Sequence, residues 1–332
     1  MTDPTDVPVS VAPMMEWTDR HCRFFLRQIS RRVLLYTEMV TTGAILHGDR
    51  DRLLAYDPAE HPVALQLGGS EPVALAECAR IAEAMGYDEI NLNLGCPSKR
   101  VRSGRFGAGL MAEPELVADC IQAMRRSVKV PVTVKTRTGL DEAPEWPMLS
   151  SIAARIFEAG ADRLIVHARK AWLDGLSPKQ NREVPPLRYD LVYRLKETMP
   201  AREIALNGGV ATLDEAVRHL DRVDSVMLGR AAYRNPYVLA EVDRRFFGES
   251  SLIPSRVEVV ERILPYVERE IASGTPLKAM TRHLIGLFQA VPGARAWRRH
   301  LSEQAHRPDA GVEIVSEALD SIAGERPLAA AE

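Results

Sequence analysis

A cysteine that directly follows an alternating apolar run is the most informative feature of this sequence. The run at 89–94 places apolar side chains on one face of a predicted strand and Asn91 and Asn93 on the other. The Gly-Cys-Pro sequence at 95–97 ends this strand, because glycine adopts unusual dihedral angles and proline cannot continue a hydrogen-bonded ladder. The thiol of Cys96 is therefore predicted at a strand tip, beside two amides that can bind a polar ligand.

The residues after Cys96 separate two interpretations of this thiol. A lone cysteine behind a strand is commonly a small buried core residue. Here polar and basic residues follow at once, in a segment with glycines at 104, 107 and 109: Ser98, Lys99, Arg100, Arg102 and Arg105. This composition is typical of an exposed loop, so we favour an accessible thiol over a core one.

The composition limits the class of protein. With 332 residues and 46% hydrophobic content, the chain can bury a large core, which we expect to form one big domain and a small one. The net charge of −2 means that any nucleic-acid-binding surface must be local. The four cysteines have no CxxC spacing, which disfavours metal and disulfide sites and fits a reducing compartment. The acidic N-terminus is unlike a signal peptide and no apolar run approaches a membrane span, so we expect a soluble cytoplasmic protein.

Short β-rich runs alternate with helical patterns along most of the chain. The predicted strands are 9–14, 34–39, 63–67, 89–94, 130–135, 163–167, 203–206 and 225–228, and the predicted helices include 72–85, 114–128, 149–159, 189–198 and 213–220. Eight strands alternating with helices form the α/β pattern of a (β/α)8 TIM barrel. A doubly wound sheet is the alternative fold, but the sequence lacks the strand–GxGxxG–helix unit of that class.

The pattern changes from Pro254 onwards, where strand signals stop. Ser255 and Glu258 form a predicted capping box, and apolar residues then recur at helical spacing. We therefore expect a catalytic barrel at 9–250 and a small C-terminal all-helical domain at 254–322. The segments 1–8 and 323–332 are predicted to be flexible.

Polar residues, glycines or methionines follow nearly every predicted strand. In chain order they are Pro13 with Met14 and Met15, Gln66, Asn93 with Cys96, Lys135 with Arg137, His167 with Arg169, Asn207 with Gly208 and Gly209, and Gly229 with Arg230. Each of them alone has an ordinary structural explanation, such as a solvated charge or a helix cap. Because the carboxyl ends of barrel strands form the active site, the set as a whole predicts a site there.

The glycine turns behind the seventh and eighth strands predict a phosphate site. Backbone amides in these turns often bind phosphate in such barrels, and Arg230 adds a charged donor. Lys135 places a cation at the barrel mouth, which suits a reduced flavin, and Met14 and Met15 can pack against a flat ring. A phosphate together with a flat redox-active ring indicates FMN, although phosphorylated sugars use the same phosphate site.

Six motifs, taken in order, carry a resemblance to a known family. They are Ala12-Pro-Met-Met, Asn91-Leu-Asn-Leu-Gly-Cys-Pro, Val134-Lys-Thr-Arg, Val166-His-Ala-Arg, Asn207-Gly-Gly-Val and Leu228-Gly-Arg-Ala. Over about residues 9–306 the chain resembles the tRNA-dihydrouridine synthases. The sequence Leu-Ser-Pro-Lys-Gln-Asn-Arg at 176–182, with Pro-Pro-Leu at 185–187, resembles the A subgroup, which modifies uridines 20 and 20a in the D-loop of tRNA.

The resemblance implies FMN as the bound cofactor and NADPH as its reductant. FMN would be held by Pro13, Met14, Met15, Gln66, Lys135, His167, Asn207, Gly208, Gly209, Gly229 and Arg230. The target uridine must leave its stack to reach the flavin. Flavin N5 would deliver hydride to uracil C6, Cys96 would protonate C5, and Asn93 would orient the uracil edge. A cysteine thiol of ordinary pKa, roughly 8.5, is mostly protonated at neutral pH and can act as a general acid.

Two basic segments are candidates for tRNA contact. The segment 278–307 carries five arginines and one lysine against one acid, with Arg295 and Arg298 on a predicted helix face away from its apolar residues. An ordinary solvated face is the alternative interpretation of this helix. The second segment contains Lys179 and Arg182, within the subgroup motif. We expect tRNA as the partner of a monomeric protein that uses no metal and no membrane.

Three other functions are compatible with parts of the sequence. An FMN oxidoreductase of free pyrimidines, similar to dihydroorotate dehydrogenase, shares the barrel and the strand-end lysine but does not need a basic helical tail. A non-redox lyase of sugar phosphates would use Lys135 as a Schiff-base amine. An RNA-binding protein without activity would leave Cys96 and the strand-end residues unexplained.

Overall fold

The chain is organised as two units. The computed structural model describes residues 7–98, 101, 104–250, 252–320 and 322. The first unit, which we name the barrel unit, comprises Met1–Glu16 and Leu34–Gly229. The second, the helical unit, comprises Trp17–Val33 and Arg230–Glu332.

Eight parallel strands close into a barrel in the barrel unit. They are β1 (Val9–Val11), β2 (Leu34–Thr41), β3 (Val63–Gly68), β4 (Glu89–Asn93), β5 (Val132–Arg137), β6 (Arg163–His167), β7 (Glu203–Asn207) and β8 (Ser225–Leu228). Each strand pairs with the next one along the chain, and β8 pairs with β1. The predicted (β/α)8 barrel is confirmed, and the doubly wound sheet is excluded.

Helices cover the barrel at the predicted places. The helices of this unit are Thr42–His47, Arg50–Leu53, Pro72–Ala84, Pro114–Ser127, Glu145–Glu158, Tyr189–Thr198 and Leu213–Leu220, and its 3-10 turns are Pro58–Glu60, Gly107–Ala112 and Gln180–Arg182. Two of the helices begin with proline, whose missing N–H has no intrahelical partner at that position. The helix predicted at 149–159 begins earlier, at Glu145. The strand predicted at 9–14 ends at Val11, because Pro13 has no N–H to donate to the ladder.

A buried ion pair occupies the amino-terminal end of the barrel interior. Glu89 and Arg163 are the first residues of β4 and β6, and their side chains lie 3.1 Å apart. The hydroxyls of Tyr36 and Thr133 donate to the other oxygen of the Glu89 carboxylate. Burial raises the pKa of Tyr36 well above its ordinary value. This network lies at the end of the barrel that contributes stability, opposite to the end that carries chemistry.

The helical unit is built from two separate stretches of the chain. Its helices are Arg20–Ile29, Arg230–Arg234, Val242–Phe247, Arg256–Ala272, Leu277–Leu284, Ala294–Gln304 and Glu313–Asp320, with a 3-10 turn at Pro236–Glu241. The predicted capping box is confirmed: Ser255 Oγ accepts the Glu258 N–H at 3.2 Å, and Glu258 accepts the Ser255 N–H at 2.7 Å. None of the described helices combines the length and the apolar character that crossing a membrane requires.

Side-chain contacts distant in sequence hold residues 17–33 in the helical unit. Asp19 caps the helix Arg20–Ile29 and accepts a hydrogen bond from His283 at 3.1 Å. Arg20 forms an ion pair with Glu270. The sequence placed the end of the barrel near 250, whereas the contacts place residues 17–33 and 230–250 with the C-terminal helices, because local periodicity does not report long-range packing.

Candidate active site at the carboxyl ends of the strands

The loop that carries Cys96 is fixed on both sides of the cysteine. Asn93 Oδ1 accepts the backbone N–H groups of Gly95 at 3.1 Å and of Cys96 at 3.0 Å. The carbonyl of Cys96 accepts the N–H of Ala108 at 3.0 Å. The thiol is partly exposed and lies 3.6 Å from the hydroxyl of Ser98. The predicted position of the thiol past a strand tip is confirmed, and its backbone is rigidly held.

Gly107 is needed for this loop to close over Cys96. Its φ of +74° lies in the left-handed region. A Cβ atom at this position would lie 2.6 Å from the Cys96 carbonyl oxygen and 2.3 Å from Val101 Cγ1. Of the basic residues predicted to make the loop exposed, Arg105 is exposed, while Lys99, Arg100 and Arg102 lie outside the described residues.

The asparagines of β4 do not form an open polar face. Asn91 is fully buried, and its amide bonds to Gln66 and to Thr133, each at 2.8 Å. Asn93 Nδ2 in turn donates to Gln66 Oε1 at 2.8 Å. The β4 residues are buried on both faces, because strands of a parallel barrel face either the interior or the covering helices. These hydrogen-bonded amides lie in the barrel interior below the site. Because buried amides need hydrogen-bond partners, the bonds among them fix the orientation of Asn93.

Lys135 and Asn207 meet across the barrel mouth. Lys135 Nζ donates to Asn207 Oδ1 at 2.8 Å, and Asn207 Nδ2 donates to the Met227 carbonyl at 2.7 Å. Burial, together with the neighbouring charge of Arg137, lowers the pKa of Lys135 to about 7. An anionic ligand beside this amine would favour its charged form again.

His167 contributes a buried ring nitrogen without a protein partner. Its Nδ1 atom is inaccessible to solvent and has no hydrogen bond within the described part of the chain. Burial and the charges of Arg137 and Lys135 hold the pKa of His167 well below its ordinary value. Buried polar atoms are rarely left unpaired, so this nitrogen points to a bound group.

The turn after β7 has a backbone conformation that favours glycine. Gly208 and Gly209 have φ values of +104° and +80°. A Cβ atom on Gly209 would lie 2.4 Å from the Tyr189 hydroxyl, which donates to the Gly208 carbonyl at 2.8 Å. Gly208 lies against the His167 ring, and a Cβ atom on Gly208 would lie 3.2 Å from His167 Nε2. Gly229 ends the barrel unit, and Arg230 begins the helix Arg230–Arg234 of the helical unit.

A methionine is presented at the tip of β1. Met15 is 55% exposed, whereas Pro13 and Met14 are partly buried. The following residue, Glu16, has a φ of +65° and donates its N–H to the carboxylate of Glu38. The turn therefore holds an exposed thioether side chain, which can pack on a flat ligand.

The long loop after β6 is anchored by Arg169, Asn181 and Arg137, whose anchoring role the sequence did not predict. Arg169 donates to the carbonyls of Arg182 and Pro185 at 3.0 and 2.8 Å. Asn181 is fully buried and bonds through its amide to both the N–H and the carbonyl of Trp172. Arg137 donates to the Asn181 carbonyl at 2.9 Å. These side chains bond to backbone groups, and no residue pattern in the sequence predicts which backbone groups are used. The Lys-Thr-Arg and His-Ala-Arg sequences did indicate that both arginines lie at strand ends.

The basic residues predicted to contact tRNA are exposed in both units. Lys179 and Arg182 are exposed in the loop after β6. Arg295 and Arg298 are exposed on the helix Ala294–Gln304, whose Trp297 is fully buried. Within the described residues, neither Arg295 nor Arg298 forms an ion pair. By contrast, two further arginines of the basic tail are paired with acids: Arg282 with Asp19 and Arg307 with Asp309.

The described residues contain no group of three or more His, Cys, Asp or Glu side chains arranged to hold a metal ion. The polar atoms at the strand ends are instead one thiol, several amides and a cluster of cations. Such a set can bind an anionic ligand and deliver one proton.

Comparisons with known proteins give a consistent result. The family description "Dihydrouridine synthase (Dus)" matches residues 10–323. The chain is 58% identical over 315 residues to the tRNA-dihydrouridine(20/20a) synthase of Vibrio cholerae, covering 95% of this chain and 96% of that protein. It is 56% identical over 331 residues to the enzyme of the same name from Escherichia coli K12, covering 98% and 96%. Among solved structures, a 2-naphthoyl-CoA reductase complex has a similar fold, with a TM-score of 0.53, 12% identity, and coverage of 71% of this chain and 49% of that one.

Proposed function

Because this chain belongs to the dihydrouridine synthase family, we propose that it reduces uridines at positions 20 and 20a of tRNA to 5,6-dihydrouridine. The observation that carries the proposal is the immobilised thiol of Cys96 beside the cations Lys135 and Arg137, both of which interact electrostatically with it. A proton donor next to an anion-binding cluster is what reduction of a uracil ring by a flavin requires. The identity of 56–58% over nearly full length to enzymes of that name supports the same substrate.

The residues at the strand ends fit FMN. The unpaired Nδ1 atom of His167, the cation of Lys135 and the left-handed turn at Gly208 and Gly209 together form a cradle for an anionic, partly aromatic group. Gln66, Asn207 and the β1 turn with Pro13, Met14 and Met15 would complete it, and Gly229 and Arg230 follow the last strand. When bound and reduced by NADPH, FMN would supply a hydride to uracil C6.

The remaining chemistry falls to side chains of the barrel unit. The Asn93 amide has one hydrogen beyond its bond to Gln66, and it would use this hydrogen to orient the uracil edge. The Cys96 thiol would donate its proton to C5 of the ring. The charges of Lys135 and Arg137 would stabilise the thiolate that remains, because nearby positive charge favours an anion.

We assign cofactor binding to the barrel unit, with Arg230 directly after its last residue, and tRNA binding to the helical region at 254–322 together with the loop after β6. Lys179 and Arg182 would contact phosphates from that loop, and Arg295 and Arg298 from their helix. The two arginines lie one turn apart, and like charges at this spacing repel each other unless an anion lies between them. Their exposure without an ion pair therefore favours phosphate binding over a solvated structural face.

The proposal is tested with purified protein and tRNA that lacks dihydrouridine. We expect a yellow protein with one FMN per chain that, with NADPH, forms dihydrouridine at positions 20 and 20a, as mapped by mass spectrometry of tRNA fragments. Turnover of a free pyrimidine without action on tRNA would favour the oxidoreductase similar to dihydroorotate dehydrogenase. A colourless protein would contradict the flavin and the whole redox assignment.

A further inference from the structure

Arg137 is a buried cation that bonds to backbone carbonyls from two different loops. Arg137 is only 5% exposed to solvent. Its Nε atom donates to the Gly95 carbonyl at 3.1 Å, and its Nη1 atom donates to the carbonyls of Asn181 at 2.9 Å and of Lys170 at 3.4 Å. Within the described residues no carboxylate pairs with this guanidinium.

This arrangement costs free energy, so its geometry calls for an explanation. Burial, together with the charges of Arg182 and Arg169, lowers the pKa of Arg137 to about 10. A buried charge without a carboxylate is retained only where its hydrogen bonds compensate. The guanidinium presents several N–H donors in one rigid plane, so a single side chain can hold acceptors on opposite sides. A lysine at this position has one donor atom and cannot span both loops.

The two loops are the two that the proposed reaction uses. Gly95 directly precedes Cys96, the proposed proton donor. Asn181 directly precedes Arg182 and follows Lys179 by two residues, so it lies inside the proposed tRNA-binding segment. The guanidinium thus forms a direct hydrogen bond to each of two loops. One is the loop that carries Cys96, which we name the acid loop, and the other is the loop after β6 that carries Lys179 and Arg182, which we name the tRNA loop.

The tRNA loop is rigid enough to transmit a displacement. The Asn181 amide is locked against Trp172, and Arg169 holds the carbonyls of Arg182 and Pro185. A parallel bridge between Leu140 and Ala171 ties the start of this loop to the segment after β5. A shift of the Asn181 carbonyl must therefore either break its bond to Arg137 or move the guanidinium.

We propose that Arg137 is a positioning residue that couples tRNA contact at Lys179 and Arg182 to the placement of the Cys96 thiol. This inference rests on the proposed function. Contact of a tRNA phosphate with the loop shifts the Asn181 carbonyl, the guanidinium follows it, and its bond to the Gly95 carbonyl moves the acid loop. The coupling is reciprocal, since a displacement of either loop reaches the other through the same guanidinium.

A double-mutant cycle on a half-reaction tests the coupling. The bound FMN is reduced with NADPH without oxygen, saturating tRNA is added, and the rate of flavin reoxidation is followed. We compare Lys179→Ala in three backgrounds: wild type, Arg137→Lys, and Arg169→Lys. Arg169→Lys is the matched control, because Arg169 anchors the same loop through the carbonyls of Arg182 and Pro185.

We expect Lys179→Ala to slow reoxidation at saturating tRNA several-fold in the wild-type and Arg169→Lys backgrounds. In the Arg137→Lys background, which is itself roughly tenfold slower, Lys179→Ala should weaken tRNA affinity but leave the saturated rate unchanged. Equal slowing in all three backgrounds, or no slowing in the wild type, would overturn the coupling. A buried arginine with a purely structural role would give equal slowing.

Two further measurements keep the test decisive. Circular dichroism checks that every variant is folded, and the rate of FMN reduction by NADPH should stay within twofold in Lys179→Ala and Arg169→Lys. If Arg137→Lys does not fold, hydrogen exchange of the Cys96 and Ala108 amides replaces the cycle: modified tRNA should slow it in the wild type and not in Lys179→Ala, and equal slowing overturns the proposal. Failure of wild-type protein to be reoxidised by tRNA would contradict the proposed function itself, not the coupling.

Discussion

The side-chain oxygen of Asn93 accepts the backbone N–H of Cys96 at 3.0 Å, so the residue proposed to orient the substrate also fixes the proposed acid. The same oxygen accepts the N–H of Gly95 at 3.1 Å. Asn93 itself is held from below by Gln66. In the proposed reaction, one amide would therefore set the distance between a bound uracil and the thiol.

Replacing Asn93 should impair proton transfer more than cofactor reduction. In Asn93→Ala both bonds to the backbone of the acid loop are lost, and we expect tRNA reduction to fall roughly a hundredfold, because a small misplacement of a reacting group costs about that much. The NADPH-dependent reduction of FMN should stay within twofold. Stopped-flow measurement of the two half-reactions separates these effects. Asn93→Asp, which keeps the acceptor, should retain more activity than Asn93→Ala, and equal losses in the two variants would contradict the capping role.

Only Cys96 among the four cysteines should be needed for chemistry. Cys96→Ala should retain FMN and its reduction by NADPH, yet form dihydrouridine at least a hundredfold more slowly, the loss expected for a missing general acid. Cys120→Ala is the control: burial raises the pKa of Cys120 to about 12, so this thiol is inert at neutral pH. It should cost about 1 kcal/mol of stability and no activity. Full activity of Cys96→Ala on tRNA would exclude the acid role.

The affinity of the apoprotein for FMN should fall as the pH rises above about 7. Burial lowers the pKa of Lys135 to about 7, so the free protein loses this charge above that pH. An anionic ligand binds the protonated amine, and binding above pH 7 must therefore take up a proton, which weakens it by up to about tenfold per pH unit. Fluorescence titration between pH 6 and 9 measures this slope. Lys135→Arg keeps its charge and should flatten it, whereas a flat profile in the wild type would argue against contact with the anion.

Arg295 and Arg298 should determine part of the salt dependence of tRNA binding. Each phosphate contact releases counterions, so Arg295→Ala with Arg298→Ala should weaken binding and flatten the log–log salt slope by about one to two units. The reduction of FMN by NADPH should not change. Arg80→Ala with Arg155→Ala is the charge-matched control, since both of these exposed arginines are already paired with glutamates. If the Arg295/Arg298 variant binds tRNA with wild-type affinity and salt slope, the helix has a structural role and does not contact tRNA.

Breaking the buried ion pair should destabilise the barrel without altering its chemistry. Glu89→Gln removes the buried negative charge that Arg163 contacts at 3.1 Å, and loss of one partner of such a pair costs about 3–5 kcal/mol. We expect this loss in urea unfolding, with normal activity of the folded fraction because the pair lies at the opposite end from the site. Glu115→Gln, in an exposed pair with Arg155, should have little effect on stability. Equal losses of stability in Glu89→Gln and Glu115→Gln would contradict this distinction between the buried and the exposed ion pair.

The barrel was predictable because the signals of its strands and helices are local. The apolar runs of the strands and the first-turn prolines each act within a few residues, and the structure has the strands and helices where they were expected. The use of Arg137 was not predictable, because its acceptors lie 42 and 44 residues away and are carbonyls, which every residue has. The burial of Asn91 was missed because alternation cannot distinguish a solvated face from a barrel interior.

The placement of residues 17–33 in the helical unit constrains how the chain can fold during synthesis. The hydrogen bond between Asp19 and His283 spans 264 residues, and the contact of Arg20 with Glu270 spans 250. The first helix therefore leaves the ribosome long before its partners exist. All eight strands are translated before the helical unit can close, so this unit can assemble only after its C-terminal helices have been synthesised. A ribosome stalled near residue 250 would hold a complete set of strands beside an amphipathic helix whose polar partners are still missing, the kind of exposed intermediate that chaperones bind.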